Sequence, residues 1–233
     1  MKRSQINGAI EQAIAVFGGM NVHLPPFAFW RPEQWPEKGH EVDEIRQTML
    51  GWDVTDFGKG DFHNTGRTIF TLRNGTYRHE GYEKTYSEKL ILLEEEQASP
   101  IHYHARKMED IINRCGGDIL MRLYQATAQG TKSSDPFEVA INACRKVISA
   151  GDTIRLRPGE SICLPTGTIH QFWSEKGTGL TVSGEVSSIC DDLSDNSLLE
   201  QVSHFPTVEE DEPPLFLLCN EYPLAREHEM DKP

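Results

Sequence analysis

The sequence is poor in positive charge. Its 233 residues include 23 Lys and Arg against 36 Asp and Glu, which gives a formal net charge of -13 at pH 7. Nucleic acids and anionic membrane surfaces are bound through basic faces. We therefore expect neither a nucleic acid nor a membrane as the main partner. Acidity by itself does not identify a substrate.

Long apolar runs and paired cysteines are also missing. A membrane-spanning helix needs about 20 consecutive apolar residues, and the runs here, such as 215–219, do not exceed five. The N-terminus begins with charge but lacks the apolar centre of a secretory signal. The five cysteines lie at least 19 residues apart and form no Cys-x-x-Cys pair. A reduced, cytoplasmic protein with unpaired thiols is expected.

Helical patterning is confined to the first 50 residues. Apolar residues share one face of a predicted helix over 4–17, which Ser4 would cap and the pair Gly18-Gly19 would end. A second short helix is predicted over 41–49. The segment 25–30, Pro-Pro-Phe-Ala-Phe-Trp, cannot be regular helix. It is expected to lie across the body of the fold.

From about residue 50 the pattern becomes β-rich. Short runs of strand-forming residues alternate with Gly, Pro and Asp turn signals, which is typical of a jelly roll or barrel. We therefore predict a mainly β fold with N-terminal helical segments. Its expected parts are a helical extension at 1–50, a barrel domain at 51–224 and a tail at 225–233. The predicted strands are 67–72, 75–80, 85–94, 99–104, 109–114, 118–125, 138–142, 152–156, 161–164, 169–174, 179–188 and 214–219.

A group of histidines has metal-ligand spacing. His102 and His104 are two residues apart, so in a strand they point to the same face. Glu109 follows closely enough for a turn or bulge to bring its carboxylate back, and His170 lies on another β-like run. Three imidazoles and one carboxylate suit a divalent first-row metal with open positions. Structural zinc sites are usually closed and cysteine-rich, so a catalytic or ligand-binding metal is predicted.

The residues around this group resemble the two motifs of the cupins. The Gly expected six residues before the first histidine is Glu96 here, and the Asn expected four residues after the last is Ser174. The resemblance covers about 85–190 and implies a double-stranded β-helix, but it does not fix the reaction class. The matching positions are His102, His104, Glu109 and Gly116 in the first motif, then Gly159, Pro165, Gly167 and His170 in the second.

Most of the chain also resembles a narrower family, the D-lyxose isomerases. This resemblance implies a manganese-dependent aldose–ketose isomerase that acts on the monosaccharides D-lyxose and D-xylulose, and often on D-mannose and D-fructose. It also implies a homodimer. The segments that carry it are 24–30, 88–93, 100–104, 107–114 and 182–187.

The residue chemistry is consistent with that implication. Isomerisation moves a proton between C1 and C2 through an enediol, so the site must bind two vicinal oxygens, polarise the carbonyl and shuttle the proton. A divalent metal with two open positions can do the first two. Mn²⁺ suits a mixed nitrogen and oxygen ligand set, although Co²⁺, Zn²⁺ or Fe²⁺ could replace it.

Three charged residues are candidates for the catalytic groups. Alternation along 181–187 puts Glu185 on a polar face that fits a wet barrel interior, and we prefer it as the base. Lys107 and Lys89 compete for the role of electrophile that stabilises the developing oxyanion. The alternatives are a solvent-facing Glu185 and two surface lysines.

Substrate-binding candidates flank these positions. Phe172 shares the face of His170 and could stack on a sugar. Asp191, Asp192 and Asp195 follow Glu185 in a loop and could contact sugar hydroxyls, or belong to an ordinary solvated loop. The arginines are scattered rather than clustered, which favours a free sugar over a sugar phosphate.

Two other functions remain open. The same ligand set could hold Fe(II) in a cupin dioxygenase, which would consume oxygen. A non-enzymatic, sugar-binding cupin is the third hypothesis, although such proteins commonly lose metal ligands that this chain keeps. The remaining histidines have no partner at ligand spacing and are interpreted as ordinary: His23, His40, His63, His79, His204 and His228.

Overall fold

The body of the protein consists of two antiparallel β-sheets with a shared core. The structure is a computed structural model that describes residues 1–200 and 202–225. One sheet has the order β1-β2-β3-β12-β5-β10-β7-β8 and the other the order β13-β4-β11-β6-β9. The strands are β1 (Gly51–Thr55), β2 (Arg67–Arg73), β3 (Tyr86–Leu93), β4 (His102–His104), β5 (Glu109–Gly116), β6 (Ile119–Gln125), β7 (Phe137–Ile141), β8 (Cys144–Ile148), β9 (Thr153–Leu156), β10 (Ser161–Leu164), β11 (Thr168–Ser174), β12 (Thr181–Ser188) and β13 (Asn196–Leu198).

This arrangement confirms the predicted cupin double-stranded β-helix with N-terminal helical segments. Apolar side chains that alternate along the strands of both sheets interdigitate between them, as a two-layer β fold requires. No helix in the described ranges is long and apolar enough to cross a membrane. The helices are α1 (Arg3–Gly19) and α2 (Asp43–Gln47), with 3-10 turns at Pro26–Phe29, Pro32–Glu37 and His40–Val42.

Helix α1 packs its apolar face against the outside of the larger sheet. Ile6, Ile10 and Phe17 are almost fully buried in a cluster that also contains Trp52 and Phe70 from β1 and β2. The helix prediction was therefore right. Whether 1–50 forms a unit separate from 51–224 stays a prediction, and the predicted tail lies outside the described residues beyond residue 225.

The N-terminus of α1 differs from its prediction in one detail. Lys2, not Ser4, occupies the N-cap position. The Ser4 hydroxyl instead donates to Asp211 at 2.7 Å. The neighbouring Arg3 guanidinium is buried and pairs with Glu210 and Glu221. The acidic stretch after residue 208 therefore anchors the helix.

Two predicted strands are wrong. Over 75–80 the chain is irregular. The Gly75 backbone lies so close to the Lys84 carbonyl that a side chain there would collide with it, and the Asn74 side-chain amide donates to the carbonyls of Thr48 and Cys190. Over 214–219 only a single bridge from Leu218 forms, since the prolines before it cannot donate ladder hydrogen bonds.

Three strands were not predicted: β1, β8 and β13. The β7–β8 hairpin turns at Asn142 and Ala143, which both have positive φ, at 51° and 60°. Such a turn is normally signalled by Asn-Gly, and here that signal is missing. Four of the five β8 residues are exposed at the sheet edge, so no apolar alternation marks the strand.

Both departures from the cupin motifs have a structural explanation. Glu96 has φ of +63°, the left-handed conformation that a glycine adopts at low cost. Ser174 is buried, and its hydroxyl donates to the Gly179 carbonyl at 2.6 Å. Gly116, which the first motif retains, has φ of +93°, and a side chain there would lie 2.3 Å from the Leu180 carbonyl oxygen.

Candidate metal centre and its pocket

Strand pairing brings the three motif histidines together. His170 on β11 lies directly opposite His102 on β4, and His104 lies two residues along the same strand. The ring centroids of His102 and His170 are 4.2 Å apart, and those of His104 and His170 are 5.7 Å apart. One ligand atom from each imidazole lies within 4.8 Å of the other two.

Backbone carbonyls fix the orientation of all three rings. Nδ1 lies 2.9 Å from the Pro100 oxygen in His102, 3.3 Å from the Asp195 oxygen in His104 and 3.0 Å from the Thr168 oxygen in His170. A carbonyl only accepts, so each Nδ1 carries the proton and each Nε2 lone pair is left for the site. The protein's own backbone therefore accepts the hydrogen bond that orients each imidazole.

Two of these rings are held in the neutral form. Burial, together with the neighbouring imidazoles, lowers the pKa of His102 well below its ordinary value. Burial and then the Lys107 ammonium lower the pKa of His104 to about 4. Neutral imidazole is the form that binds metals.

The Glu109 carboxylate completes the donor group. Its Oε1 lies 3.1 Å from His170 Nε2 and 3.5 Å from His104 Nε2. Burial alone would raise the Glu109 pKa, but Lys107, His104 and His170 together outweigh it and hold that pKa well below its ordinary value. Oε1 is buried and has no hydrogen-bond partner. Lone pairs therefore converge with no proton between them.

These donors fit a divalent cation. The lone pairs of the unprotonated nitrogens and of the ionised oxygen repel one another where they converge. A cation bound between them would remove that repulsion. The set is three imidazoles and one carboxylate, with no thiolate, which suits a first-row metal that keeps open positions. His102, His104, His170 and Glu109 are thus the residues that could hold the metal.

Lys107 and Glu185 form a buried pair beside this group. Lys107 Nζ lies 2.7 Å from Glu109 Oε2 and 2.8 Å from Glu185 Oε1. Only 3% of Lys107 and 6% of Glu185 are exposed. Glu185 therefore does not face solvent, and Lys107 is not a surface lysine, as the alternative interpretations of the sequence had it.

Lys89 is buried as well, with 4% of its surface exposed. Its ammonium donates to Asp192 at 2.8 Å and lies 3.0 Å from the Cys190 sulfur. Burial lowers the Lys89 pKa, but Asp192, Cys190 and Glu185 together outweigh it and raise that pKa well above its ordinary value. Burial also raises the pKa of Cys190 to about 12, so the thiol stays protonated beside the ion pair.

Two of the predicted aspartates have other contacts. Asp191 pairs with Arg78 at 2.8 Å and is not among the residues that line the pocket of the three histidines. Asp195 accepts hydrogen bonds from the backbone N–H groups of Ala105, Arg106 and Lys107. Asp195 therefore shapes the turn between the histidine pair and Glu109, while Asp192 faces the pocket.

His204 lines the same pocket, although the sequence analysis interpreted it as an ordinary histidine. Its Nε2 lies 2.6 Å from Asp53 Oδ2, and both residues are largely buried. Burial lowers the His204 pKa, but the Asp53 carboxylate outweighs it and raises that pKa above its ordinary value. Asp53, Asp192 and His204 could also hold a cation, but one there would compete with the Lys89 ammonium.

The charges in the pocket are balanced. Arg67, missed by the sequence analysis, is fully buried, and its guanidinium lies 3.9 Å from the centre of the Phe172 ring. The Phe172 ring therefore lies in the pocket. Apart from His204, whose partner is Asp53, three cationic side chains and three carboxylates line the pocket. The lining residues are Phe57, Arg67, Ile69, Lys89, Ile91, Ser99, His102, His104, Lys107, Glu109, His170, Phe172, Glu185, Asp192, Asn196, Leu198 and His204.

Comparison with known proteins identifies relatives of this chain by fold and by sequence. The chain shares its fold with the L-ribose isomerase of Cellulomonas parahominis (TM-score 0.59, 12% identity, 88% of this chain and 95% of the other), and with that of Acinetobacter sp. DL28 in complex with L-ribose (TM-score 0.57, 13% identity, 86% and 93%). It is 44% identical to a D-lyxose/D-mannose isomerase of Escherichia coli O157:H7 and to another of Serratia proteamaculans, each over 95% of this chain and 98% of the relative. The family model for D-lyxose isomerase matches residues 1–222, and the chain therefore belongs to the D-lyxose isomerase family of sugar isomerases.

Proposed function

We propose that this protein is a manganese-dependent aldose–ketose isomerase that interconverts D-lyxose with D-xylulose and D-mannose with D-fructose. The observation that carries the proposal is the placement of a metal-ligand group and a buried Lys107–Glu185 pair in one pocket. The two relatives at 44% identity bear the name D-lyxose/D-mannose isomerase, which supports these substrates.

The four proposed ligands are His102, His104, His170 and Glu109. A divalent cation held by them would act as Lewis acid and template for two vicinal sugar oxygens. Mn²⁺ suits the mixed nitrogen and oxygen set, and Co²⁺, Zn²⁺ or Fe²⁺ are expected to substitute in vitro.

Glu185 is the proposed proton carrier. Its carboxylate would take the proton from C2 of the open-chain aldose and return it to C1, while the hydroxyl proton of O2 ends on O1. Lys107, bound between two carboxylates at 2.7 and 2.8 Å, is an ammonium and cannot act as the base. It would instead orient Glu185 and donate a hydrogen bond to the developing oxyanion.

Lys89, Asp192 and Phe172 are proposed to bind the sugar. The Lys89–Asp192 ion pair offers both a donor and an acceptor to hydroxyl groups at one side of the pocket. The Phe172 ring provides an apolar wall on the strand that carries His170. For Asp191, which pairs with Arg78 outside this pocket, no contact with the sugar is proposed.

A proton-exchange experiment tests this function. Protein stripped of metal is reloaded with Mn²⁺ and given D-lyxose in D₂O, and the reaction is followed by NMR. The expected result is metal-dependent formation of D-xylulose, with deuterium at C1 or partial intramolecular transfer. No product and no exchange from either D-lyxose or D-mannose, with bound metal verified, would overturn the proposal. Oxygen consumption by the Fe²⁺-loaded protein would then point to the dioxygenase alternative.

We also propose a cytoplasmic homodimer. All five cysteines are unpaired, which suits a reducing compartment. Exposed apolar side chains such as Met108 and Val186 border a shallow surface depression beside β12 and offer area for a second copy. Light scattering coupled to gel filtration gives the mass of the particle, and a monomer at micromolar concentration would contradict the dimer.

A further inference from the structure

Arg67 is a buried charge with few partners. It lies at the start of β2 and exposes 4% of its surface. One guanidinium nitrogen, Nη2, donates to the Phe172 carbonyl at a long 3.4 Å, and the other, Nη1, has no hydrogen-bond partner. The face of the group lies against the Phe172 ring at 3.9 Å. The guanidinium is thus held rigidly while one donor edge remains unpaired.

Ser99 presents a second unpaired group in the same pocket. It exposes 3% of its surface, and its hydroxyl oxygen is also without a hydrogen-bond partner. Its main chain is fixed, because the Ser99 carbonyl accepts from Gln171 at 2.8 Å. The residues that precede Arg67 and Ser99 are joined by a backbone hydrogen bond, in which Gly66 N donates to the Ala98 carbonyl at 3.2 Å. Arg67 and Ser99 therefore project from adjacent backbone segments.

Unpaired buried donors are unfavourable for folding. A buried polar group without a partner loses its hydration and gains nothing in return, and the loss is larger for a charged group. The few such atoms in native proteins need an explanation, and a bound ligand provides one for both groups here. Both residues line the pocket of the candidate metal centre.

We propose that Arg67 Nη1 and Ser99 Oγ form a hydroxyl-binding subsite that holds one hydroxyl group of the open-chain sugar away from the reacting carbons. This inference rests on the proposed isomerase function. Arg67 donates to the hydroxyl oxygen and Ser99 can donate or accept, so the pair satisfies a neutral hydroxyl. A phosphate or carboxylate is disfavoured, because the Lys89 and Lys107 ammonium groups already pair with carboxylates and no cluster of free cations remains to bind it.

Ser99→Ala is the primary test. Removal of an unpaired hydroxyl should leave the Tm of the sugar-free protein unchanged or raise it, while KM for D-lyxose rises roughly tenfold with a smaller change in kcat. Ser174→Ala is the matched control, because it removes a buried serine hydroxyl that is hydrogen-bonded outside the pocket. Its Tm should fall by about 2 to 4 °C, with KM and kcat within about twofold of the original protein.

Arg67→Lys tests the other half of the subsite. It keeps the positive charge but removes the planar group with its second nitrogen, so KM should rise by about tenfold to a hundredfold. If this variant does not fold, Ser99→Ala still decides the matter.

Deoxy sugars identify the contact directly. The 3-, 4- and 5-deoxy analogues of D-lyxose are compared in the original protein and in Ser99→Ala. One analogue should lose roughly tenfold in kcat/KM with the original protein, and Ser99→Ala should show no further loss with that analogue. Multiplicative losses with all three analogues would overturn the inference, as would unchanged KM in Ser99→Ala or a preference for a phosphorylated sugar. If the original protein turns over neither D-lyxose nor D-mannose, the proposed function itself has failed.

Discussion

Lys107 Nζ lies 2.8 Å from Glu185 Oε1, and both side chains are buried. Two residues that the sequence analysis proposed for different roles, Glu185 as base and Lys107 as a candidate electrophile, therefore form one hydrogen-bonded unit. Residues that act as a unit have non-additive effects when they are removed. The pair should behave in this way if it carries the proton transfer.

We predict that Lys107→Met and Glu185→Gln each lower kcat by about a hundredfold to ten thousandfold. The double variant should lose little more than the worse single variant. The measurement is kcat for D-lyxose in all three proteins at verified metal content. The control is the exposed pair of Lys176 and Glu96, at 3.0 Å, for which Lys176→Met and Glu96→Gln should leave kcat within about twofold. Losses that multiply in the double variant would show that the two groups act independently.

The metal-ligand assignment leads to a second prediction. His104→Gln removes one of the four converging donors while the residue size is largely kept, so bound metal and activity should be lost together. Mn²⁺ should raise the Tm of the original protein, because it binds only the folded state, and should leave the Tm of the variant unchanged. Metal per chain is measured by elemental analysis after dialysis.

His63→Gln is the matched control for this prediction. His63 is largely exposed and pairs with Glu94 outside the pocket, so its replacement should keep full metal content. Stoichiometric metal and full activity in His104→Gln would contradict the ligand assignment.

The helices, most strands and the histidine group could be predicted from the sequence, because each depends on local spacing. Alternation puts His102 and His104 on one face whatever the rest of the chain does. The ligand group also needs His170, whose position opposite His102 is set by strand pairing. The motif spacing supplied that long-range information.

Other parts of the pocket could not be predicted, because they depend on contacts distant in sequence. His204 pairs with Asp53, which lies 151 positions before it in the sequence. Arg67 lies at the start of an apolar strand, and its charge there could have marked it as a candidate site residue. Its hydrogen-bond partner, the Phe172 carbonyl, is 105 positions away in the sequence. Asp191 and Asp192 are adjacent in sequence, yet only Asp192 lines the pocket.

The packing of α1 allows a test of domain organisation. Ile10 is fully buried against the sheet, so Ile10→Ala should lower the free energy of unfolding by about 2 to 5 kcal/mol. If 1–50 folds together with the barrel, the variant should still unfold in one transition at lower denaturant, followed by circular dichroism and tryptophan fluorescence. Glu11→Ala, at an exposed position of the same helix, should change the free energy by less than about 0.5 kcal/mol. Two separate transitions in Ile10→Ala would instead support an independent N-terminal extension.

The His204–Asp53 pair makes stability depend on pH. The pKa of His204 is raised above its ordinary value because the Asp53 carboxylate, 2.6 Å away, outweighs the effect of burial. In the unfolded chain the histidine has a pKa of about 6.5. A group with a raised pKa in the folded state stabilises that state fully below the unfolded value and loses this contribution as the pH rises through the folded value.

We therefore predict that the free energy of unfolding of the original protein exceeds that of His204→Gln, and that this margin is largest at or below about pH 6. The margin should shrink as the pH rises past the folded pKa of His204. Urea unfolding of metal-free protein between pH 5.5 and 9 measures it, and NMR titration of the His204 ring gives the folded pKa directly. The control His79→Gln removes an exposed histidine and should give a small margin that stays constant with pH. A margin for His204→Gln that grows with pH would mean that the imidazole is held in the neutral form, and the ion pair with Asp53 would have to be rejected.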